Sequence, residues 1–162
     1  MDKGEKGGYV ESEKNLSQEG SCWIGATAKV MEDAMVCDNA VVTVEAVVKG
    51  KAIIRDNAEV YGAIVDGNVT ICDNAKLYDE VEVHDNVRIG GSAMVFCYAE
   101  LYDNAIIGGH ATINGSAIIK DNACVFDNAV IDGNSVIKGN ARIYNDVVIK
   151  DKVIDGDCIM DK

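Results

Sequence analysis

The chain has 162 residues, enough for one ordinary domain with its own core, and it contains no proline. Its formal net charge of −12 argues against direct binding to nucleic acid or to an anionic membrane surface. No apolar run approaches the roughly 20 residues that would span a bilayer, and no secretory leader opens the chain, so we expect a cytoplasmic protein without a membrane partner.

The first twenty residues lie outside the pattern that follows and are rich in Gly, Glu and Lys. A stack of repeats needs a cover, because its terminal unit would otherwise expose apolar surface and unpaired strand edges. We therefore predict that residues 1–20 are an N-terminal cap segment that packs on Trp23. Residues 21–162 are then the repeat domain.

From Ser21 onward a six-residue pattern repeats to the end of the chain. A small residue, usually Ala, stands two positions ahead of Val, Ile or Leu, and a pair such as Asp-Asn or Gly-Asn follows. Alternation over four residues is the strand period, and Asn, Asp and Gly tolerate positive φ in short corners. Because a period of six does not keep one helical face and a meander of such short strands would be weak, the pattern predicts parallel strands coiled around a shared axis.

Units such as "VCDNAV" from Val36 and "IKDNAC" from Ile119 resemble the repeats of the hexapeptide-repeat proteins. The resemblance implies an all-β fold, a single-stranded left-handed parallel β-helix (a β-solenoid) shaped as a triangular prism with three hexapeptides per coil. The repeat domain then has about eight coils and a length on the order of 40 Å. One residue is missing at Gly62-Ala63 and one at Asp151-Lys152, at the same corner of the prism, which supports this register.

Stacking the coils predicts polar rows along one corner. An amide ladder is expected from Asn68, Asn86, Asn104, Asn122 and Asn140. The adjoining positions form an acidic corner of Asp85, Asp103 and Asp121. We interpret these acids as turn residues on a solvated corner. The alternative hypothesis is a phage-type inhibitor that imitates nucleic acid and presents this corner to a nucleic-acid-binding protein.

Two apolar rows are predicted to point outward. One consists of Tyr61, Tyr78 and Phe96, with Met94 beside it, and the other of Val47, Ile64, Ile118 and Val136, interrupted by Glu82 and Glu100. Exposed apolar rows commonly mark association surfaces. The resemblance implies trimers formed through prism faces, so we expect a homo-oligomer, with a trimer favoured, that buries one of these rows.

Many hexapeptide-repeat proteins are acyl-CoA-dependent transferases in which a histidine is the general base. This chain has His84, expected on a flat face between Asp66 and Tyr102, and His110, expected at a corner. A general base needs a pocket and an orienting partner, and no inserted loop interrupts the repeats to form one. We predict no catalytic residue and no cofactor; the alternative is an acetyltransferase with His110 as base and acetyl-CoA as cofactor.

The six cysteines stand too far apart for a CxxC pattern, so no metal site is predicted and the thiols are expected to be free. The stretch "GGYVESEKNLSQEGSCWI" is similar to the leader of uncharacterised hexapeptide-repeat proteins from bacterial and phage genomes. We therefore predict a non-enzymatic, self-associating scaffold or binding module that takes a protein partner, and the resemblance implies a relation to phage proteins.

Overall fold

A computed structural model describes residues 6–162 and confirms an all-β solenoid. Its strands are stacked about eight coils deep in three parallel sheets, which is consistent with the predicted triangular prism. The only helical segment in residues 6–162 is a 3₁₀ turn, Glu13–Asn15, so that part of the chain has no helix able to cross a membrane.

Each coil contributes one strand to each sheet, and strands three apart in the chain are paired in parallel. Sheet A contains β1 (Tyr9–Val10), β4 (Lys29–Val30), β7 (Val47–Val48), β10 (Ile64–Val65), β13 (Glu82–Val83), β16 (Glu100–Leu101), β19 (Ile118–Ile119), β22 (Val136–Ile137) and β25 (Val153–Ile154). Sheet B contains β2 (Leu16–Gly20), β5 (Met35–Asp38), β8 (Ile53–Ile54), β11 (Thr70–Ile71), β14 (Arg88–Ile89), β17 (Ile106–Ile107), β20 (Cys124–Val125), β23 (Arg142–Ile143) and β26 (Ile159–Met160). Sheet C contains β3 (Trp23–Ile24), β6 (Val41–Thr43), β9 (Glu59–Tyr61), β12 (Lys76–Leu77), β15 (Met94–Val95), β18 (Thr112–Ile113), β21 (Val130–Asp132) and β24 (Val148–Lys150).

The core is the column of aliphatic side chains that point to the axis, together with the small residues two positions before them. Ile113 and Ala111 are both fully buried, and the same holds for nearly every equivalent pair along the stack. Each large aliphatic side chain contributes about 1.5–3 kcal/mol through its removal from water. The outward side chains of sheets A, B and C form three faces, called face A, face B and face C below.

The corners are named AB, BC and CA after the sheets they join. In most corners the first residue has positive φ, as at Asp103 (57°) in the AB corner and Asp73 (58°) in the BC corner, and Asp and Gly are the commonest residues there. The two missing residues both fall in the CA corner. The pairing of Ile64 with Val47 and of Val153 with Val136 is unshifted, which confirms the predicted register.

Residues 6–20 of the predicted cap lie at the start of the stack. Strand β1 pairs with β4, and β2 pairs with β5, so the segment extends sheets A and B. The buried Asn15 amide donates to the carbonyl oxygens of Glu32 (2.9 Å) and Ala34 (2.7 Å). Gly7 lies against the Trp23 ring, since a Cβ added there would be 3.7 Å from it. Residues 1–5 of the predicted cap lie outside the described residues, and the capping role stays a prediction.

Candidate functional site

The AB corner carries the predicted amide ladder. Each Asn side chain donates its N–H to the side-chain oxygen of its neighbour one coil further on. The distances are 3.4 Å (Asn68–Asn86), 3.3 Å (Asn86–Asn104), 3.2 Å (Asn104–Asn122) and 3.1 Å (Asn122–Asn140). The ladder ends at Asp157, whose carboxylate accepts from Asn140 at 2.7 Å. The ladder links the exposed corners of successive coils, which lie outside the hydrophobic core.

The acidic corner is engaged with the backbone. The carboxylates of Asp85, Asp103 and Asp121 accept the N–H groups of Asp103 (3.1 Å), Asp121 (3.0 Å) and Gly139 (2.8 Å), each one coil further on. These acids therefore act as the turn residues that the sequence predicts. Imitation of nucleic acid by the same row stays a hypothesis.

The two histidines lie in different settings. The His84 ring stacks on Tyr102 with centroids 5.3 Å apart, and its Nε2 is 3.3 Å from the carboxylate of Glu82 on the same face. His110 is exposed at the BC corner, and within the part of the chain described its imidazole has no hydrogen-bond partner. The two rings lie in different sectors of the prism, so the structure does not combine them in one site.

The aliphatic row lies on face A, as the sequence predicts. The register places Val47 beside Ile64 and Ile118 beside Val136, with Glu82 and Glu100 on the strands between them. Glu100 accepts the Tyr102 hydroxyl at 2.6 Å, and this contact raises the pKa of Tyr102 to about 12. The aliphatic row of face A is therefore divided by two adjacent carboxylates.

The aromatic row lies on face C. The rings of Tyr61 and Tyr78 are stacked with centroids 5.1 Å apart. Glu59 pairs with Lys76 at 2.9 Å and accepts the Tyr78 hydroxyl at 3.2 Å, and the hydrogen bond from Lys76 is the main cause that lowers the pKa of Glu59. Phe96 follows one coil further on.

Face B carries all three arginines of the chain, a feature that the sequence prediction missed. Arg88 and Arg142 occupy one row three coils apart, and Arg55 lies in the neighbouring row. Apart from Asp38, where strand β5 runs into the BC corner, no outward strand position of this face from Met35 to Tyr144 holds an acid. Arg88 and Arg142 are three coil lengths apart in the sequence. Assigning each charged residue to its position in the coil would therefore have placed both arginines in one row.

Face B also contains a groove of about 310 Å³ over Gly90 and Gly108. The Phe126 ring lies over Gly108, where an added Cβ would be 2.5 Å from the ring. Arg88 lines one side of the groove, and Cys72 and Asp73 lie at one end. The row of outward side chains on this face is interrupted here because two successive coils have glycine at the same position.

One group of potential metal ligands lies beside this groove. Atoms of Asp56, Cys72 and Asp73 lie within 4.8 Å of one another. Burial, and next the charge of Asp73, raises the pKa of the Cys72 thiol, which disfavours the thiolate that binds metal. The carboxylates accept backbone N–H groups of the following coils, at 3.2 Å for Asp56 and 2.7 Å for Asp73. All six cysteines are free thiols.

The sequence matches no protein-family profile and no curated protein. The repeat, its register and the surfaces described above are therefore the basis for proposing a function.

Proposed function

We propose that this protein is a rigid β-solenoid scaffold that self-associates through face C. The observation that carries the proposal is the row of Tyr61, Tyr78 and Phe96, with Met94, 41% exposed, in the neighbouring row beside Phe96. Aromatic residues and Met are enriched in protein interfaces, and large rigid side chains lose little conformational entropy on association. A parallel stack of coils holds such a row in a fixed geometry before any partner arrives.

Charge distinguishes face C from the rest of the surface. Two copies that each carry a charge of −12 repel one another, so they meet most readily through a surface without uncompensated charge. The charged residues at outward strand positions of face C form two ion pairs, Glu59–Lys76 at 2.9 Å and Asp132–Lys150 at 2.7 Å. Face C is therefore electrically neutral.

Face A is less suited to this role. Glu82 and Glu100 lie on adjacent paired strands in the middle of its aliphatic row. Burial of this row against a second copy would remove both carboxylates from water without a cation between them, which is costly. Val47 and Ile64 are in addition separated from Ile118 and Val136 by those two strands.

The size of one face is at the lower limit for a specific interface between two copies. About eight strands spaced about 4.8 Å apart, each about four residues wide, give a footprint of about 500 Å² per partner. The total of about 1,000 Å² is at the lower limit for a stable contact between proteins. The number of copies implied by the hexapeptide-repeat resemblance is three.

Light scattering coupled to size-exclusion chromatography tests the proposal. The wild type is expected to elute as an assembly, and the Tyr61→Glu, Phe96→Glu double variant as a folded monomer of 17.3 kDa. The matched control is Ile64→Glu, Ile118→Glu on face A, which should leave the assembly intact. A monomeric wild type, or dissociation by the face A variant alone, would overturn the proposal.

A further inference from the structure

The groove on face B is the place where the surface charge and the surface shape of the molecule both depart from the repeat. Its volume of about 310 Å³ is at the small end of the range of ligand sites. Arg88 is exposed at its side and makes no ion pair within residues 6–162. A chain with a net charge of −12 therefore presents a free guanidinium beside a concave surface.

The BC corner at the edge of this groove has a regular bonding pattern that stops there. The backbone N–H of Asp56 donates to Asp38 (3.2 Å), that of Asp73 to Asp56 (3.2 Å), and that of Gly91 to Asp73 (2.7 Å). Each carboxylate thus accepts the N–H of the equivalent residue one coil further on. The pattern shows that this corner binds carboxylate oxygens.

The residue that follows Asp73 in this corner row is Gly91, which has no carboxylate. The N–H of Gly109, one coil further on, consequently has no acceptor within the described part of the chain. Gly91 and Gly109 both line the groove. A carboxylate in the groove can accept the Gly109 N–H in the way that Asp73 accepts that of Gly91.

The negative charges of the neighbouring aspartates do not prevent a carboxylate from binding there. Asp38, Asp56 and Asp73 are already stacked on successive coils, at a spacing of about 4.8 Å. A ligand carboxylate over Gly91 would continue this series by one coil. Asp73 is compensated by its hydrogen bond from Gly91, and Arg55 pairs with Asp56 at 2.8 Å, whereas Arg88 remains to attract an anion.

The remainder of the lining is apolar or bare backbone. Phe126 and Ile106 line the groove, and its floor is formed at Gly90 and Gly108. Flat, bare backbone beside an aromatic ring accommodates a planar apolar body. We propose that the groove binds a small carboxylate with a planar apolar body, whose carboxylate accepts the Gly109 N–H while Arg88 supplies the attracting charge.

Benzoate is the probe, and its uncharged analogue benzamide is the control, in a titration of ¹⁵N-labelled protein followed by amide chemical shifts. Benzoate should produce a saturable shift at Gly109, and benzamide should not. Asp79 is an internal control: its corner N–H also lies one coil after a glycine, Gly62, and has no acceptor within the described residues, but no arginine is near it. A saturable shift at Asp79 equal to that at Gly109 would overturn the proposal.

Two matched variants separate a built site from general charge attraction. Arg88→Gln should weaken benzoate binding about tenfold, the effect of losing one charge-assisted contact. Arg142→Gln removes the same charge from the same row outside the groove and should leave binding unchanged. Equal weakening by both variants, unchanged binding in Arg88→Gln, or no saturable shift in the wild type would each overturn the proposal.

A third variant, Gly91→Asp, supplies the missing carboxylate from the chain itself. Asp has positive φ at the equivalent positions Asp56 and Asp73, both at 58°, but a Cβ added at Gly91 would be 2.6 Å from the carbonyl oxygen of Gly109, so the Gly109 backbone must shift to admit the side chain. The variant should lose benzoate binding and show the Gly109 amide shifted in the absence of ligand. The site lies on face B and does not depend on association through face C, so either proposal can fail without the other.

Discussion

The side-chain amide of Asn86 donates to the side-chain oxygen of Asn104, 18 residues later, at 3.3 Å. Asn104 in turn donates to Asn122 at 3.2 Å, so it is a central member of the ladder. Replacing Asn104 with Ala should lower the free energy of unfolding by about 1 kcal/mol, because both hydrogen bonds are solvent-exposed. Urea unfolding measures this.

The matched control is Asn134→Ala, at a corner position where the described side chain has no hydrogen bond. It should change the free energy of unfolding by less than about 0.5 kcal/mol. Equal destabilisation by both variants would show that the ladder adds nothing beyond the turn preference of Asn.

Ile113 tests the core. It is fully buried, and Ile113→Asp places an unpaired carboxylate on the axis at a cost of several kcal/mol. We expect no cooperative thermal transition near that of the wild type, measured by circular dichroism. Ile64→Asp on face A is the control, since that side chain is 39% exposed, and it should remain folded. A wild-type transition in Ile113→Asp would refute the register.

We predict that Tyr102 makes the stability of the folded state depend on pH in the alkaline range. Its hydrogen bond to Glu100, and next its burial, raises its pKa to about 12 from the ordinary value of 10.0. Because the folded state holds the phenol neutral, this contribution to stability is complete below the unfolded pKa and is lost as pH rises from about 10 to about 12.

Ultraviolet titration of tyrosinate, with Tyr102→Phe to identify the signal, measures the pKa. Glu100→Gln should move it back toward 10, and Glu80→Gln, an exposed acid at the CA corner, should not. An unchanged pKa in Glu100→Gln would show that the hydrogen bond is not its cause.

His110 provides the test of the enzyme alternative. Because its imidazole is exposed and no described residue orients it, we expect neither binding of acetyl-CoA by calorimetry nor acetylation of amine or hydroxyl acceptors. Micromolar binding of acetyl-CoA that is lost in His110→Ala would instead favour the transferase over the scaffold.

The repeat made the positions of the inward side chains predictable. Burial requires a small or aliphatic residue at every second position of a strand, and a polar residue there would break the sequence pattern. The same column count places Asn86 beside Asn104 and Tyr61 beside Tyr78. Outward side chains are under no such constraint. The pairing of Glu59 with Lys76 depends on side-chain rotamers, and the groove depends on where the Phe126 ring lies over Gly108. Neither can be read from residue spacing.

The CA corner accepts coils of two lengths. At Gly62 and at Asp151 a coil has 17 residues, yet Ile64 still pairs with Val47 and Val153 with Val136. A codon can therefore be lost from the gene at this corner without moving any side chain of faces A, B and C out of its row. The same loss within a strand would exchange inward and outward side chains as far as the next corner. Where sheet C meets sheet A, variation in coil length is thus compatible with a constant surface.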